Sequence, residues 1–108
     1  NIQFMPDSAN LYDSEIEKLN HISKILESYP ERDILVTGHT ALAGTEQGRQ
    51  KLSEERAAAV AEYLIRRGGL RPDQVTTRGM GARKPLAPND SEINMRKNRR
   101  VEIMILEN

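Results

Sequence analysis

The 108-residue chain has no cysteine and no tryptophan. Lack of cysteine excludes disulfides, thiolate metal sites and a cysteine nucleophile, and says nothing of redox compartment, since oxidising and reducing compartments both tolerate it. Aromatic residues are scarce, one Phe and three Tyr, with none after Tyr63. Readers of single-stranded nucleic acid stack bases on aromatic rings, so the basic run Arg96-Lys97-Asn98-Arg99-Arg100 lacks stacking partners and no nucleic-acid partner is expected. No apolar run approaches the roughly 20 residues of a membrane-spanning helix, so the domain itself is not expected to cross a bilayer. A Gly-rich phosphate loop is missing too: Gly79-Met80-Gly81 has no third glycine and does not open a helix. Only His21 and His39 can serve as bases near neutral pH, and neither has a partner at metal-ligand spacing. Ser8 or Ser53 can be grouped with His39 and Asp7 on paper, but no nucleophile elbow accompanies them. An enzyme, a bound metal or a cofactor is therefore not expected. His39 is expected to be structural, its ring bonding loop backbone.

What is present is charge and periodicity. Charged residues make up 30% of a chain whose formal net charge is zero. The balance hides an asymmetry: residues 1–31 carry Asp7, Asp13, Glu15, Glu17, Glu27 and Glu31 against Lys18 and Lys24, whereas residues 66–100 carry ten Lys and Arg against Asp73, Asp90 and Glu92. A basic C-terminal half suits an anionic partner, or an acidic helix of the same fold. The size fits one domain spanning residues 1–108. The chain opens on Asn1-Ile2-Gln3-Phe4 without an initiator Met, as expected of a domain excised from a larger protein.

Alternation of Ile2 and Phe4 predicts a first strand over 1–4. Ile16, Leu19, Ile22, Ile25, Leu26 and Tyr29 form one stripe of an amphipathic helix over 13–29, capped by Asp13 or Ser14, with Glu17 closing a capping box and Pro30 ending it. Ile34–Thr37 reads as a buried strand. Ala57, Val60, Ala61, Leu64 and Ile65 mark a second helix that starts at Thr45 or at Ser53 and ends at Gly68-Gly69. Val75–Arg78 is a third strand, residues 91–97 a short helix, and Val101–Leu106 a last strand, at an edge or central. The result is an α/β (α+β) sandwich, β-α-β-α-β-(α)-β, with a mixed four-stranded sheet and helices on one face.

Ligands of open α/β sheets gather at the carboxyl ends of strands. The loops there carry Asp7, Ser8, His39, Thr40, Glu46 and Arg49, with Arg56 on the second helix and Arg99 just before the last strand. Guanidinium groups make bidentate, charge-assisted pairs with carboxylates, so Arg56 and Arg99 are candidates to hold one if the last strand lies beside the first or second. The alternative for both is ordinary ion pairing to Glu54, Glu55 or Glu102.

Asn1-Ile2-x-Phe4, Asp7-Ser8-Ala9-x-Leu11, Val36-x-Gly38-His39-Thr40, Gly44, Leu52-Ser53-x-x-Arg56-Ala57, Gly79-x-Gly81, Pro85, Asn89-Asp90 and Asn98-Arg99-Arg100-Val101-Glu102 together resemble the OmpA-like peptidoglycan-binding domain, over essentially the whole chain. The resemblance implies a β-α-β-α-β-β sandwich that binds the meso-diaminopimelate of peptidoglycan stem peptides without covalent chemistry. It also implies a parent protein in the periplasm, associated with the outer membrane and tethered to the cell wall. In the family pattern an Asp after Gly-His-Thr meets the ligand's ammonium. The Arg of Leu-Ser-x-x-Arg-Ala, an Asn three residues before that Leu-Ser, and the first Arg of Asn-Arg-Arg complete the pocket. Carried over by position, Arg56 and Arg99 match, Asp7 supplies a polar group from the first loop, and Thr40 to Gly44 supply backbone. Ala41 stands at the Asp position, Ala43 at a frequent Thr and Arg49 at the Asn. Loss of a charge-assisted partner costs about 1.5–3 kcal/mol, or roughly 10- to 100-fold in affinity. Arg49 repels an ammonium, while Glu46 or Asp7 can substitute for the lost carboxylate. The arginines thus imply a working wall anchor; the substitutions imply a domain that keeps the fold, has lost diaminopimelate binding, and serves as a structural or protein-interaction module.

Overall fold

The computed structural model describes residues 1–107. Its elements are β1 (Ile2–Gln3), α1 (Asp13–Leu26), β2 (Ile34–Gly38), α2 (Glu46–Arg66), β3 (Val75–Gly79), α3 (Glu92–Asn98) and β4 (Arg100–Ile105), with a 3₁₀ turn at Pro72–Gln74 ahead of β3. The class expected from the sequence is the one observed, α+β with a mixed four-stranded sheet. Strand order is β1-β4-β2-β3: β4 runs antiparallel to both β1 and β2, and β3 runs parallel to β2. The last strand is therefore central, and Val101 pairs with Ile2 on one side and with Gly38 on the other.

Because side chains alternate across a strand, the register puts Ile2, Ile34, Val36 and Val101 on one face. There they join Leu19 and Leu26 of α1 and Ala57, Val60 and Leu64 of α2 in a single buried cluster. Burying that stripe against the sheet is what stabilises α2, whose N-terminal half is largely polar.

The start left open by the sequence resolves to the earlier one. Thr45 caps α2, its hydroxyl accepting from the Gly48 amide at 3.0 Å, and Gly48 sits within the first turn.

Helix α1 departs from expectation at both ends. Tyr12 is its N-cap, with no side-chain bond, so neither Asp13 nor Ser14 caps it and no capping box forms. It ends at Leu26 rather than Tyr29, because the Ser28 and Tyr29 amides bond the Ile25 and Leu26 carbonyls, tightening the chain into a 3₁₀-type turn before Pro30. Ile25 and Tyr29 are consequently exposed. Glu15 instead turns inward, 3% exposed, where its carboxylate accepts from the Gln3 amide at 2.8 Å and pairs with Lys18 at 3.0 Å.

The connection from β3 to α3 is pinned by one side chain. Fully buried Asn98 accepts from the Leu86 and Ala87 amides and donates to the Ala87 carbonyl and the Asn89 side chain. Asn89 in turn accepts from the Leu42 amide, which ties this loop to the one between β2 and α2. These two loops are thereby held together at the carboxyl end of β2.

Candidate functional site: a mixed-charge cavity

Arg56 faces the end of β2 from the third turn of α2 and has no exposed surface. Its Nε donates to the Ser8 carbonyl at 2.9 Å, Nη1 to the His39 carbonyl at 3.0 Å and Nη2 to the Met5 carbonyl at 2.8 Å. The guanidinium also lies 5.4 Å from the centroid of the Phe4 ring. It thus laces the β1–α1 loop to the end of β2. Burial, and then the charge of Arg99, draw the Arg56 guanidinium down to about 10, with Asp7 and Tyr12 opposing. It stays charged at neutral pH.

Arg99 closes α3 and is also buried. Nη2 donates to Oε1 of Glu92 at 2.5 Å, and its buried Nε has no partner among the described residues. That hydrogen bond and the Arg99 charge hold the Glu92 carboxyl below the usual carboxylate range. Asp7 stands exposed with φ 52°, a conformation Asp tolerates better than most residues. Thr40 is buried; its hydroxyl donates to the Ala41 carbonyl at 2.9 Å and its amide to the Gly81 carbonyl at 2.9 Å. Gly44 adopts φ 75°, and its carbonyl accepts from Nη1 of half-buried Arg49 at 2.7 Å.

Asp7, Thr40, Ala41, Gly44, Arg49, Arg56 and Arg99, singled out from the sequence, all line one cavity of about 400 Å³. Glu46 does not; it lines a smaller neighbouring cavity with Leu42 and Arg83, and Arg49 borders both. Arg49 is not bonded to Asp7. Glu55, Glu92, Leu52 and Met95 also line the main cavity and were not foreseen. Glu92 lies seven residues, two helical turns, before Arg99, a spacing that puts both on one face and was the available signal. Arg56 and Arg99 make none of the ion pairs considered with Glu54, Glu55 or Glu102; Glu102 pairs with Arg100 at 2.9 Å. The cavity offers three guanidinium groups, three carboxylates, two threonine hydroxyls and apolar wall from Ala41, Leu52 and Met95. Such an arrangement recognises charge of both signs. Among the described residues no group of three or more His, Cys, Asp or Glu is placed to hold a metal ion.

His39 departs from expectation. Its ring bonds no loop backbone: both nitrogens are buried without a hydrogen-bond partner among the described residues, and Nε2 lies 3.6 Å from Oε1 of Glu102. Its backbone carries the structural role, the amide donating to the Arg100 carbonyl at 2.8 Å and the carbonyl accepting from Arg56. Burial, then Arg100, pull the imidazole below its ordinary 6.5 despite Glu102. The unfolded chain therefore binds a proton that the folded chain does not, so stability is full above about pH 6.5 and falls as pH drops toward the lower folded value. Urea unfolding between pH 7.5 and 5 is expected to show this fall, with a shallower fall in His39→Gln. An equal fall in that variant would assign the slope to the carboxylates alone.

The structure is a small α+β domain with a mixed-charge cavity at the carboxyl end of β2. The chain belongs to the OmpA family, whose model matches residues 3–99. It is 36% identical over 104 residues to the peptidoglycan-binding protein ArfA of Mycobacterium tuberculosis, covering 96% of this chain and 32% of that protein. The chain thus spans about a third of this relative's length. The C-terminal domain of Helicobacter pylori MotB superposes with a TM-score of 0.90 at 30% identity, covering 99% of this chain and 84% of that one. The peptidoglycan-associated lipoprotein of Burkholderia pseudomallei superposes at 0.89, also at 30% identity, covering 97% and 88%.

Proposed function

We propose that this domain binds the stem peptide of diaminopimelate-type peptidoglycan without covalent chemistry and anchors its parent protein to the cell wall from the periplasm, beside the outer membrane. The observation that carries the reading is the cavity of about 400 Å³ in which Arg49, Arg56 and Arg99 meet Asp7, Glu55 and Glu92. A stem peptide presents carboxylates and, at diaminopimelate, a free ammonium, so both signs of charge in the cavity have a use. ArfA is named for peptidoglycan binding and the Burkholderia lipoprotein for peptidoglycan association, which supports the same partner here. In this reading the accessible cation is Arg49, with Arg56 shaping the loops around the ligand.

One observation favours a second reading, a retired pocket in a structural or protein-interaction module. Arg56 gives three donors to backbone, Arg99 is held by Glu92, and Ala41 offers only a methyl. Calorimetric titration of the domain with a diaminopimelate-containing muropeptide separates the two. Micromolar binding, weakened about 10-fold or more in Arg49→Ala, is the result expected of an anchor, since a charge-assisted contact is worth about that much. No heat from the unaltered domain, together with binding restored by Ala41→Asp, identifies the retired pocket.

A further inference from the structure

We infer that Glu92 is the residue that selects an ammonium in this cavity, with Arg99 acting on the ligand only by positioning it. The inference rests on the peptidoglycan reading above and concerns which side chains form its two charge poles.

Exposure is the first observation. The Arg99 side chain is 6% exposed and the Glu92 side chain 70%. A ligand entering the cavity therefore meets the carboxylate and not the guanidinium behind it. The second is the bonding. Oε1 of Glu92 takes the Nη2 hydrogen bond of Arg99, while Oε2 has no donor among the described residues. One oxygen is thus clamped and the other is free to accept. The third is ionisation: the Arg99 contact holds the Glu92 carboxyl below the usual range, so it is charged at neutral pH. Asp7 and Glu55 line the same cavity, yet among the described residues no hydrogen bond or ion pair holds either carboxylate. A group already held in place loses less freedom on binding, so Glu92 is the pre-organised anion of the three.

The cationic pole follows by the same reasoning. Arg56 has no exposed surface and three of its donors are taken. Arg49 is half-buried and gives one donor to the Gly44 carbonyl, leaving most of its fork for a ligand carboxylate. Arg49 stands on α2 and Glu92 on α3, so the two poles come from separate elements. A ligand that carries a carboxylate and an ammonium satisfies both; one with carboxylates alone meets repulsion at Glu92.

The test is calorimetric titration with two probes, a diaminopimelate-containing muropeptide with its side-chain amine free and the same muropeptide acetylated at that amine. The unaltered domain is expected to prefer the free amine about 10-fold. Glu92→Gln is expected to bind the free-amine probe about 10-fold more weakly and the acetylated probe no more weakly than the unaltered domain does, abolishing the preference. Glu92→Asp is expected to recover part of it. Glu92→Gln takes the carboxylate from buried Arg99, so its unfolding temperature is expected to fall, and scanning calorimetry checks that both variants remain folded at the temperature of titration. Retention of the preference in Glu92→Gln overturns the inference and leaves the peptidoglycan reading standing. Tighter binding of the free-amine probe in Glu92→Gln also overturns it, showing that Glu92 occupies Arg99 against the ligand. Failure of the unaltered domain to bind either probe overturns the peptidoglycan reading and this inference together.

Discussion

Replacing Arg56 with alanine is expected to lower the unfolding free energy by about 3–5 kcal/mol, because it strips donors from three carbonyls at about 1–3 kcal/mol for each one left unsatisfied. The carbonyls of Met5 and Ser8 lie in a loop that water reaches, so they regain part of the loss; that of His39 lies within the fold and regains less. The Phe4 ring also loses the cation above it. Urea unfolding should show a lower midpoint with an unchanged slope. Hydrogen exchange should quicken at residues 5–12 before it quickens in β2 and β4, since the β1–α1 loop is what Arg56 holds. Arg56→Lys separates this account from one based on charge alone. An ammonium keeps the charge but has no planar fork, so it cannot serve three carbonyls spread over two loops and should recover less than half of the loss. A stability change below about 0.5 kcal/mol in Arg56→Ala, the usual size of an exposed substitution, would overturn the lacing role.

That role shows where legibility in the sequence stops. The periodic apolar residues of α2 and the compact runs of β2 and β4 were readable because burial against a sheet imposes its own period on side chains. The inner face of α1 was read less well. Glu15 is buried there, and a pattern that takes charge to mean solvent has no way to anticipate the Gln3 amide that donates to its carboxylate. The cavity members were legible as positions, through motifs at fixed spacing, and they do meet. Their partners were not. Arg56 bonds carbonyls, which every residue carries and no sequence distinguishes. Arg99 and Glu92 meet across two turns of a helix too short to show a stripe. His39 lies beside Glu102 only because β4 inserts between β1 and β2, a placement the sequence left open.

The tightest constraint in the fold is a glycine. At Gly38 an added Cβ would lie 1.8 Å from the carbonyl oxygen of Ser53, 2.8 Å from its carbonyl carbon and 3.1 Å from the Ala57 amide nitrogen. All three are backbone atoms of α2, so no rotamer change relieves the clash; the helix has to rise off the sheet. Gly38→Ala is accordingly expected to cost about 3 kcal/mol or more, at the severe end for overpacking, because the displaced contact is backbone against backbone. Ser53→Gly in the same chain should rescue nothing, since it leaves the offending carbonyl in place. Gly79, paired with Gly38 across β2 and β3, makes the useful contrast. Its added Cβ meets the Ser53 hydroxyl at 2.4 Å and the Glu54 side chain at 2.6 Å, though also the Glu54 amide at 2.7 Å. Part of the Gly79→Ala loss should therefore be recovered by Ser53→Ala. Urea unfolding of the two single variants and the two double variants checks both statements, and a Gly38→Ala domain within about 0.5 kcal/mol of the unaltered one would overturn them. The consequence reaches the cavity. Ser53 and Arg56 are neighbours on the buried face of α2, so lifting the helix at Ser53 draws the Arg56 guanidinium away from the His39 carbonyl. Gly38→Ala should loosen the β1–α1 loop as Arg56→Ala does, although residue 38 lines no part of the site.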